Sequence, residues 1–482
     1  MTDALNNGFF DEPPRLRFNA WTGAETAPEQ LSAERLSWAL RNHSPGKMAA
    51  DEGWREYEEI DNREWRNPQV GWGLVLPERA LPNASLATAN DAPEAIQRLL
   101  AARPGSPVLR WRGSEDGVGE LRRFTPDGKV RQPELITEQG IAPWQLPRFL
   151  LIFAPPCVIP WAFQYAANLQ HCVGRLCLEG EALDNYVDAL ISDWAGATCD
   201  PHAPLLWSVD HGEPDISWLM DGLISRRLWE RWRSDKDGDF ARGTPLFGGD
   251  ATRERLTAEL ARTKPGLIVT TSHGMTGPLN NATAMAAQLG VPVDAAHRAL
   301  DLTVLGEQWQ PDGAIWYAHA CCSAGSDTVS AYDGLFDPTS DLARTLKGVA
   351  AGCGARIAPL PQQLLGASRP LRAFIGHVEP TFDWTLRSLE TEQRLTHSLI
   401  DSLSHKLFTA GQRPPIGSAM ASVFGDVGTL LSKWTTARAA GDQATPRSLA
   451  KALYYQIAAL DRQHTVILGD PTVALPSLRA TR

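Results

Sequence analysis

The sequence predicts an α/β protein with a mostly parallel sheet covered by helices on both faces. Beyond residue 147, short continuous apolar runs alternate with longer amphipathic runs. Strands that are apolar throughout, rather than at alternate residues, are typical of parallel sheets buried on both faces. Ligands and catalytic groups in such sheets lie beyond the carboxyl ends of the strands. The predicted strands are LLIFA, PLLWSV, GLIVTT, AIWYAHA, LRAFIG and HTVILG.

Residues 1–145 are predicted to form an accessory N-terminal region. Helices are expected at LSAERLSWALRNH and at DAPEAIQRLLAARPG, which ends in a Pro-Gly stop signal. The segments VLRWRG and ELRRFTPDGKVRQPEL are predicted as strands, the latter containing a Pro-Asp-Gly turn. No pattern in this region indicates catalysis.

Two longer helices are predicted between the strands that follow. ISWLMDGLISRRLWERW places its apolar residues on one helical face. DATRERLTAELARTKPG is expected to be capped by Asp250 and stopped by Pro265-Gly266. Helices of this length between apolar runs supply the crossovers that parallel strands need.

Composition excludes several classes of function. The net charge of −10 argues against a protein that binds nucleic acid by neutralising phosphates. Residues 149–170 imitate a membrane span, but Pro155, Pro156 and Pro160 would break a helix there, so we expect no membrane segment. The start of the chain lacks the pattern of a secretion signal, and a cytoplasmic location is expected. The 7 cysteines include no CxxC pair, which favours reduced thiols over disulfides or a structural zinc site.

Two strand ends carry reactive side chains. LIVTTSHG delivers His273 and Gly274, and AHACCSAG delivers Cys321 and Cys322. The 48 residues between His273 and Cys321 suffice for one helical crossover, so both side chains are predicted at the same edge of the sheet. A nearby imidazole activates a thiol nucleophile. The N–H groups of Gly274 and Cys321 are predicted to form an oxyanion hole.

Cys321 rather than Cys322 is predicted to be the nucleophile. Successive side chains in a strand point to opposite faces, so both thiols cannot face one cleft. A helix is expected to start at Ser323, Ala324 and Gly325, and its N-terminus would stabilise a thiolate at Cys321. Cys322 is expected to turn into the packing beneath.

These motifs resemble the caspase–gingipain superfamily of cysteine peptidases, and especially its bacterial gingipain-like and CHAT-type members. Further blocks that carry the resemblance are LLIFAPPCVIPWAFQYAANLQHCVGRL, LPQQLLGASRPLRAFIGHVEPTFDW and VILGDPTVALP. The resemblance implies a caspase-like three-layer αβα sandwich, with a first subdomain over residues 146–245 and a catalytic subdomain over residues 246–482. It also implies hydrolysis of protein or peptide substrates by a Cys321–His273 dyad without a cofactor or metal. A regulatory partner protein and a role as a bacterial defence effector would be consistent with it.

The sequence departs from the family at positions that bear on specificity. His319 stands where caspases have glutamine and some relatives an acidic residue, beside the primary pocket. Other superfamily members place glycine three residues after the nucleophile, a register that would favour Cys322. The segment GHVEPTFDW is expected to line the cleft through His377, Glu379, Asp383 and Trp384. The alternative is that Trp384 belongs to the core and the charged residues to the surface. If Glu379 or Asp383 lines the pocket, a basic residue before the cut is expected.

Two other functions fit the same motifs. A catalytically silent caspase-like scaffold could bind a partner protein or peptide through the cleft, and a different thiol hydrolase could act on small amides. Some relatives use calcium, but SDKDGDF, with Asp235, Asp237 and Asp239, lacks the glycine position and closing glutamate of a calcium loop and is expected to be a solvated turn.

Overall fold

The computed structural model describes residues 60–478, apart from residues 115–116, 214, 237–238, 389–392, 410–411 and 439–445. Before residue 60 it describes only the antiparallel pair Arg15–Leu16 and Glu29–Gln30. The helix predicted at LSAERLSWALRNH lies outside the described residues, as does Asp237. Asp61–Arg482 groups as one compact unit, described below.

A single sheet of twelve strands forms the centre of this unit. All six predicted apolar runs beyond residue 147 contribute strands to it, and so do the strands predicted before residue 145. The strand order across the sheet is β8-β7-β9-β10-β11-β12-β6-β5-β1-β2-β3-β4. In chain order the strands are β1 (Trp72–Pro77), β2 (Val108–Arg112), β3 (Glu120–Phe124), β4 (Val130–Arg131), β5 (Phe149–Phe153), β6 (Cys172–Leu176), β7 (Leu205–Ser208), β8 (Thr244–Phe247), β9 (Leu267–Thr271), β10 (Ile315–His319), β11 (Ala373–His377) and β12 (Thr465–Gly469).

The sheet consists of two parallel blocks that run in opposite directions. Strands β8, β7, β9, β10 and β11 are parallel to one another. Strand β12 pairs antiparallel with β11 and begins the second block, in which β12, β6, β5, β1 and β2 are parallel. The hairpin β2-β3-β4 is antiparallel and closes that side. The predicted subdomain boundaries at residues 145/146 and 245/246 both fall inside this one unit.

Helices connect the strands and cover the sheet. The predicted helix at residues 216–232 contains a π-helical turn, Asp221–Ser225, between two α-helical segments. The helices are α1 (Asn83–Leu86), α2 (Glu94–Ala101), α3 (Trp161–Asn168), α4 (Gly180–Ile191), α5 (Ile216–Met220), α6 (Arg226–Arg233), α7 (Arg253–Thr263), α8 (Ala282–Gln288), α9 (Leu302–Gln308), α10 (Asp341–Cys353), α11 (Pro359–Leu365), α12 (His397–Asp401), α13 (Ile416–Arg438) and α14 (Pro446–Gln463).

Both faces of the sheet are buried, as the continuous apolar runs predict. In β5, Phe149 and Leu151 enter one apolar cluster, while Leu150 and Ile152 enter another on the opposite face. The chain is therefore a mixed α/β protein with a large, mostly parallel sheet, compatible with an αβα sandwich.

The predicted N-terminal cap of helix α7 is wrong. Helix α7 is capped by Thr252, whose side chain accepts a hydrogen bond from the Arg255 N–H, and not by Asp250. Asp250 instead lies in a 3₁₀ turn, Gly248–Asp250, before the helix.

Within the described part of the chain, no helix is both long and apolar enough to cross a bilayer.

Candidate active site

The pairing of β9 with β10 brings the His-Gly and Cys-Cys motifs to the same level. Thr271 pairs with His319 at the carboxyl ends of the two parallel strands. His273 and Cys321 each follow that pair by two residues, so the 48-residue spacing predicted from sequence equals the pairing offset. The motifs therefore lie on the same edge of the sheet, where α/β proteins place reactive groups.

Gly274 packs directly against the backbone of Cys321. A Cβ atom added to Gly274 would lie 2.0 Å from the Cys321 carbonyl oxygen, so no larger residue fits. Among the described residues, no backbone carbonyl accepts a hydrogen bond from the N–H of Gly274 or of Cys321. Both N–H groups thus remain available for an oxygen atom of a ligand.

Asp215 holds the imidazole of His273. The His273 Nε2 atom lies 3.1 Å and 3.0 Å from the two carboxylate oxygens of Asp215. Asp215 also caps helix α5 by accepting a hydrogen bond from the Ser217 N–H at 2.8 Å. Burial raises the pKa of Asp215, but hydrogen bonds from Ser217 and His273 outweigh it and bring the pKa below its usual value. An ionised Asp215 keeps a proton on Nε2 and leaves Nδ1 of His273 free to exchange a proton.

Two further histidines, His211 and His297, lie next to His273. The rings of His211 and His273 are stacked with centroids 5.8 Å apart, and those of His211 and His297 with centroids 4.0 Å apart. Burial, followed by the neighbouring His297, lowers the pKa of His211. A neutral His211 reduces the positive charge around His273.

Cys321 is half-buried at the end of β10. Its Sγ atom accepts a hydrogen bond from the Thr381 N–H at 3.4 Å. Burial raises the pKa of the Cys321 thiol, and the hydrogen bond from Thr381 offsets this in part. The thiol therefore needs a base close by to react at neutral pH.

Cys322 turns away from Cys321, as strand alternation predicts. It is 1% exposed and packs with Met285, Leu289, Val349 and Cys353. Its backbone is left-handed, with φ of 55°.

The prediction of a helix starting at Ser323 is wrong. Ser323 donates its hydroxyl to the Ala318 carbonyl, and the Ala324 N–H donates to the His377 carbonyl of β11. These bonds direct the chain across β11 and into a short ribbon, Gly325–Ser326 with Arg356–Ile357. The next helix begins only at Asp341. The residues that follow Cys321 therefore do not supply the expected helix N-terminus to stabilise its thiolate.

A small cavity of about 30 Å³ lies beside the end of β10, and we call it the recess. Its apolar lining includes Leu386, Leu399 and Val423. Asp461 is 1% exposed, and burial raises its pKa to about 7. Burial lowers the pKa of His319 to about 3. The polar and ionisable lining residues are Tyr317, His319, His377, Thr385, Thr396, Asp461, Arg462 and Thr465.

The three remaining predicted site residues occupy different places. Glu379 is buried, and its carboxylate accepts hydrogen bonds from the Ser330 hydroxyl at 3.0 Å and the Ala331 N–H at 3.3 Å. Burial raises the pKa of Glu379 to about 7. Glu379 lines a small cavity next to Cys322 and not the recess. Asp383 begins a half-buried 3₁₀ turn, and Trp384 lies 5.8 Å from Tyr454 of α14, measured between ring centroids.

Sequence reasoning missed Asp215 and Asp461. Asp215 follows β7, which neighbours β9, so a third strand end was available as a signal. Asp461 comes from helix α14, where nothing in the local pattern marks it.

Across the described residues, no group of three or more His, Cys, Asp or Glu side chains could hold a metal ion. Comparisons with models of known protein families, with curated proteins and with solved structures give no match.

Proposed function

We propose that this protein is a caspase-like cysteine peptidase in which Cys321 is the nucleophile, His273 the general base and acid, and Asp215 the residue that positions His273. The observation that carries this proposal is the position of His273 and Cys321, each two residues beyond a paired position at the carboxyl ends of β9 and β10. The carboxylate of Asp215 is hydrogen-bonded to Nε2 of the imidazole. A thiol, an imidazole and a carboxylate in this order constitute a nucleophile, its base and an orienting group.

The first half of the reaction forms an acyl-enzyme. His273 Nδ1 takes the proton of the Cys321 thiol, and the thiolate sulfur attacks the carbonyl carbon of the peptide bond. The resulting oxyanion accepts hydrogen bonds from the N–H groups of Gly274 and Cys321. The imidazolium then gives its proton to the leaving nitrogen as the C–N bond breaks.

The second half releases the acyl group. His273 removes a proton from a water molecule, whose oxygen attacks the thioester carbon. The C–S bond breaks, the sulfur regains a proton from the imidazolium, and a carboxylic acid leaves. Asp215 remains ionised and keeps the imidazole oriented throughout.

A second candidate function is a scaffold that binds a peptide without cutting it. The raised pKa of the Cys321 thiol favours this candidate, because a protonated thiol is a poor nucleophile. The two functions differ in whether peptide bonds break.

A cleavage screen with a diverse peptide library separates them. The wild-type protein is expected to release new N-termini, and Cys321→Ala to release none. Cys322→Ala is the matched control, since it removes the adjacent thiol from the apolar cluster and is expected to keep most of the activity. Binding of peptides without cleavage by the wild type would establish the scaffold instead.

A further inference from the structure

The recess contains three buried polar atoms that have no hydrogen-bond partner in the described part of the chain. They are His319 Nε2, His377 Nδ1 and Asp461 Oδ1, and each belongs to a side chain lining the recess. A buried polar atom without a partner costs about 1–3 kcal/mol. Three of them around one cavity indicate that the cavity accommodates a polar ligand group that supplies the missing bonds.

The hydrogen bonds among the neighbouring rings determine which atoms donate. The Tyr317 hydroxyl lies 2.9 Å from His319 Nδ1, its only hydrogen-bonding contact among the described residues. Because a buried hydroxyl needs an acceptor for its proton, Tyr317 donates to Nδ1. His319 therefore carries its own proton on Nε2, which faces the recess as a donor.

The same reasoning assigns His377 and Asp461. His377 Nε2 lies 3.2 Å from His319 Nδ1, which has a lone pair and no proton, so His377 carries its own proton on Nε2 and its Nδ1 is an acceptor. Asp461 Oδ2 is already bonded to the Thr385 hydroxyl at 2.6 Å, which leaves Oδ1 as a second acceptor when the carboxyl is ionised, above its pKa of about 7. Above pH 7 the recess thus presents one N–H donor and two acceptors.

The recess is connected to Cys321 through two consecutive backbone amides. The Thr381 N–H donates to Cys321 Sγ, and the next N–H, of Phe382, donates to Asp461 Oδ2 at 3.4 Å. The Cα atoms of consecutive residues are only about 3.8 Å apart. This connection favours the recess as the place for the substrate side chain next to a carbonyl attacked by Cys321.

We propose that the recess selects a carboxamide side chain, glutamine or asparagine, at the residue that precedes the cleaved bond. This inference rests on the proposed peptidase function. A carboxamide offers two N–H donors for His377 Nδ1 and Asp461 Oδ1, and one carbonyl acceptor for the His319 N–H.

Other side chains leave part of this pattern unmet. A guanidinium has only donors and would meet the His319 N–H and the cation of Arg462, which also lines the recess. An ionised carboxylate has only acceptors and would oppose Asp461. The isosteric methionine fills the same space and makes no hydrogen bonds of comparable strength.

Peptidyl vinyl methyl esters test the proposal directly, because the residue next to the reactive group can be varied alone. Four tripeptide reagents would carry Gln, Met, Glu or Arg there, and intact-mass spectrometry at pH 8, where Asp461 is ionised, would give the rate at which each modifies Cys321. We expect the Gln reagent to react at least about tenfold faster than the other three, as a site built to hydrogen-bond a ligand rejects analogues that cannot. Equal or faster modification by the Met, Glu or Arg reagent overturns the selectivity.

The experiment separates this inference from the peptidase proposal. If no reagent modifies Cys321 faster than it modifies glutathione, the peptidase function fails and the inference fails with it. If modification is fast but does not prefer Gln, the inference alone fails. The wild-type rates decide both questions without any variant.

Two variants assign the preference to the recess. Asp461→Asn keeps the bond from Thr385 by its carbonyl oxygen and turns an amide N–H₂ toward the recess, so an acceptor becomes a donor. The Gln-to-Met rate ratio is expected to fall toward one. Glu379→Gln is the matched control: it makes the same exchange at a buried carboxyl outside the recess and leaves the ratio unchanged. An unchanged ratio in Asp461→Asn, or a loss in Glu379→Gln, overturns the assignment to Asp461.

Discussion

Two buried polar regions of this molecule differ in how completely their hydrogen bonds are formed. In the recess beside Cys321, three polar atoms have no partner among the described residues. Beyond the carboxyl end of β12, Asp470 accepts hydrogen bonds from Trp72 at 2.9 Å, Arg103 at 3.1 Å and the Thr472 N–H at 2.9 Å. We call the latter group, with Tyr186 donating to the Arg372 carbonyl at 2.7 Å, the Asp470 network.

The difference separates a structural role from a functional one. The Asp470 network joins the two blocks of the sheet, since Tyr186 also accepts from the Asp470 N–H at 2.8 Å. Complete pairing there makes a buried charge tolerable. The recess retains unpaired atoms, which weaken the fold unless a bound polar group supplies their partners.

Breaking the Asp470 network is expected to give the largest loss of stability. Asp470→Asn leaves the Arg103 guanidinium, which is 6% exposed, without its counter-charge. Removing one partner of a buried ion pair costs about 3–5 kcal/mol. Chemical denaturation should show this loss in the free energy of unfolding. A loss below about 1 kcal/mol would mean that the buried Arg103–Asp470 ion pair does not stabilise the fold.

Asp461→Asn, the corresponding substitution in the recess, is expected to change how the stability of the protein depends on pH. Burial raises the pKa of Asp461 to about 7 from its usual value of 3.8, so the folded state binds the proton more tightly than the unfolded state. Wild-type stability due to Asp461 is therefore present below pH 3.8 and is lost as pH rises toward 7.

The asparagine side chain of Asp461→Asn cannot ionise, so this variant does not lose stability as pH rises toward 7. Each pKa unit corresponds to about 1.4 kcal/mol, so between pH 4 and pH 8 the variant should gain on the order of 4 kcal/mol relative to the wild type. Denaturation curves at the two pH values give the difference. Parallel behaviour of the two proteins would show that Asp461 is ionised and paired.

Asp215 is expected to affect turnover more than stability. Asp215→Asn retains the helix cap, because asparagine and aspartate cap equally well. It removes the carboxylate that fixes the Nε2 proton of His273, and kcat should fall by about a hundredfold. Asp215→Ala should lose the same activity and a further 1 kcal/mol or so of stability. Unchanged kcat in Asp215→Asn would remove Asp215 from the proposed mechanism.

The smallest effect on activity is expected for a substitution at Cys322. Cys322→Ser places a hydroxyl in the apolar cluster with Met285 and Leu289 and should cost about 1–3 kcal/mol of stability. Peptidase activity of the folded fraction should remain close to that of the wild type. Loss of activity at full occupancy of the folded state would favour Cys322 as the nucleophile.

The sequence was informative where function follows local pattern. Continuous apolar runs predicted the strands, and the spacing of His273 and Cys321 predicted their common edge. The alternation of side chains also predicted the inward turn of Cys322. These features depend only on residues close to one another along the chain or on one crossover.

Features that depend on distant segments were not predictable in this way. Asp215 reaches His273 across the β7–β9 pair, and Asp461 reaches the recess from α14. The expected helix after Cys321 is replaced by hydrogen bonds to β11, which no local propensity encodes. The single twelve-stranded sheet arises because β12, near the end of the chain, pairs with both β11 and β6.

The identity of the reacting thiol tests the central claim most directly. The wild type, Cys321→Ala and Cys322→Ala would each be treated with a peptidyl vinyl methyl ester and mapped by mass spectrometry. One adduct on Cys321 is expected in the wild type and in Cys322→Ala, formed faster than with glutathione, and no adduct at this site in Cys321→Ala. An adduct on Cys322, or modification no faster than that of glutathione, would contradict the account.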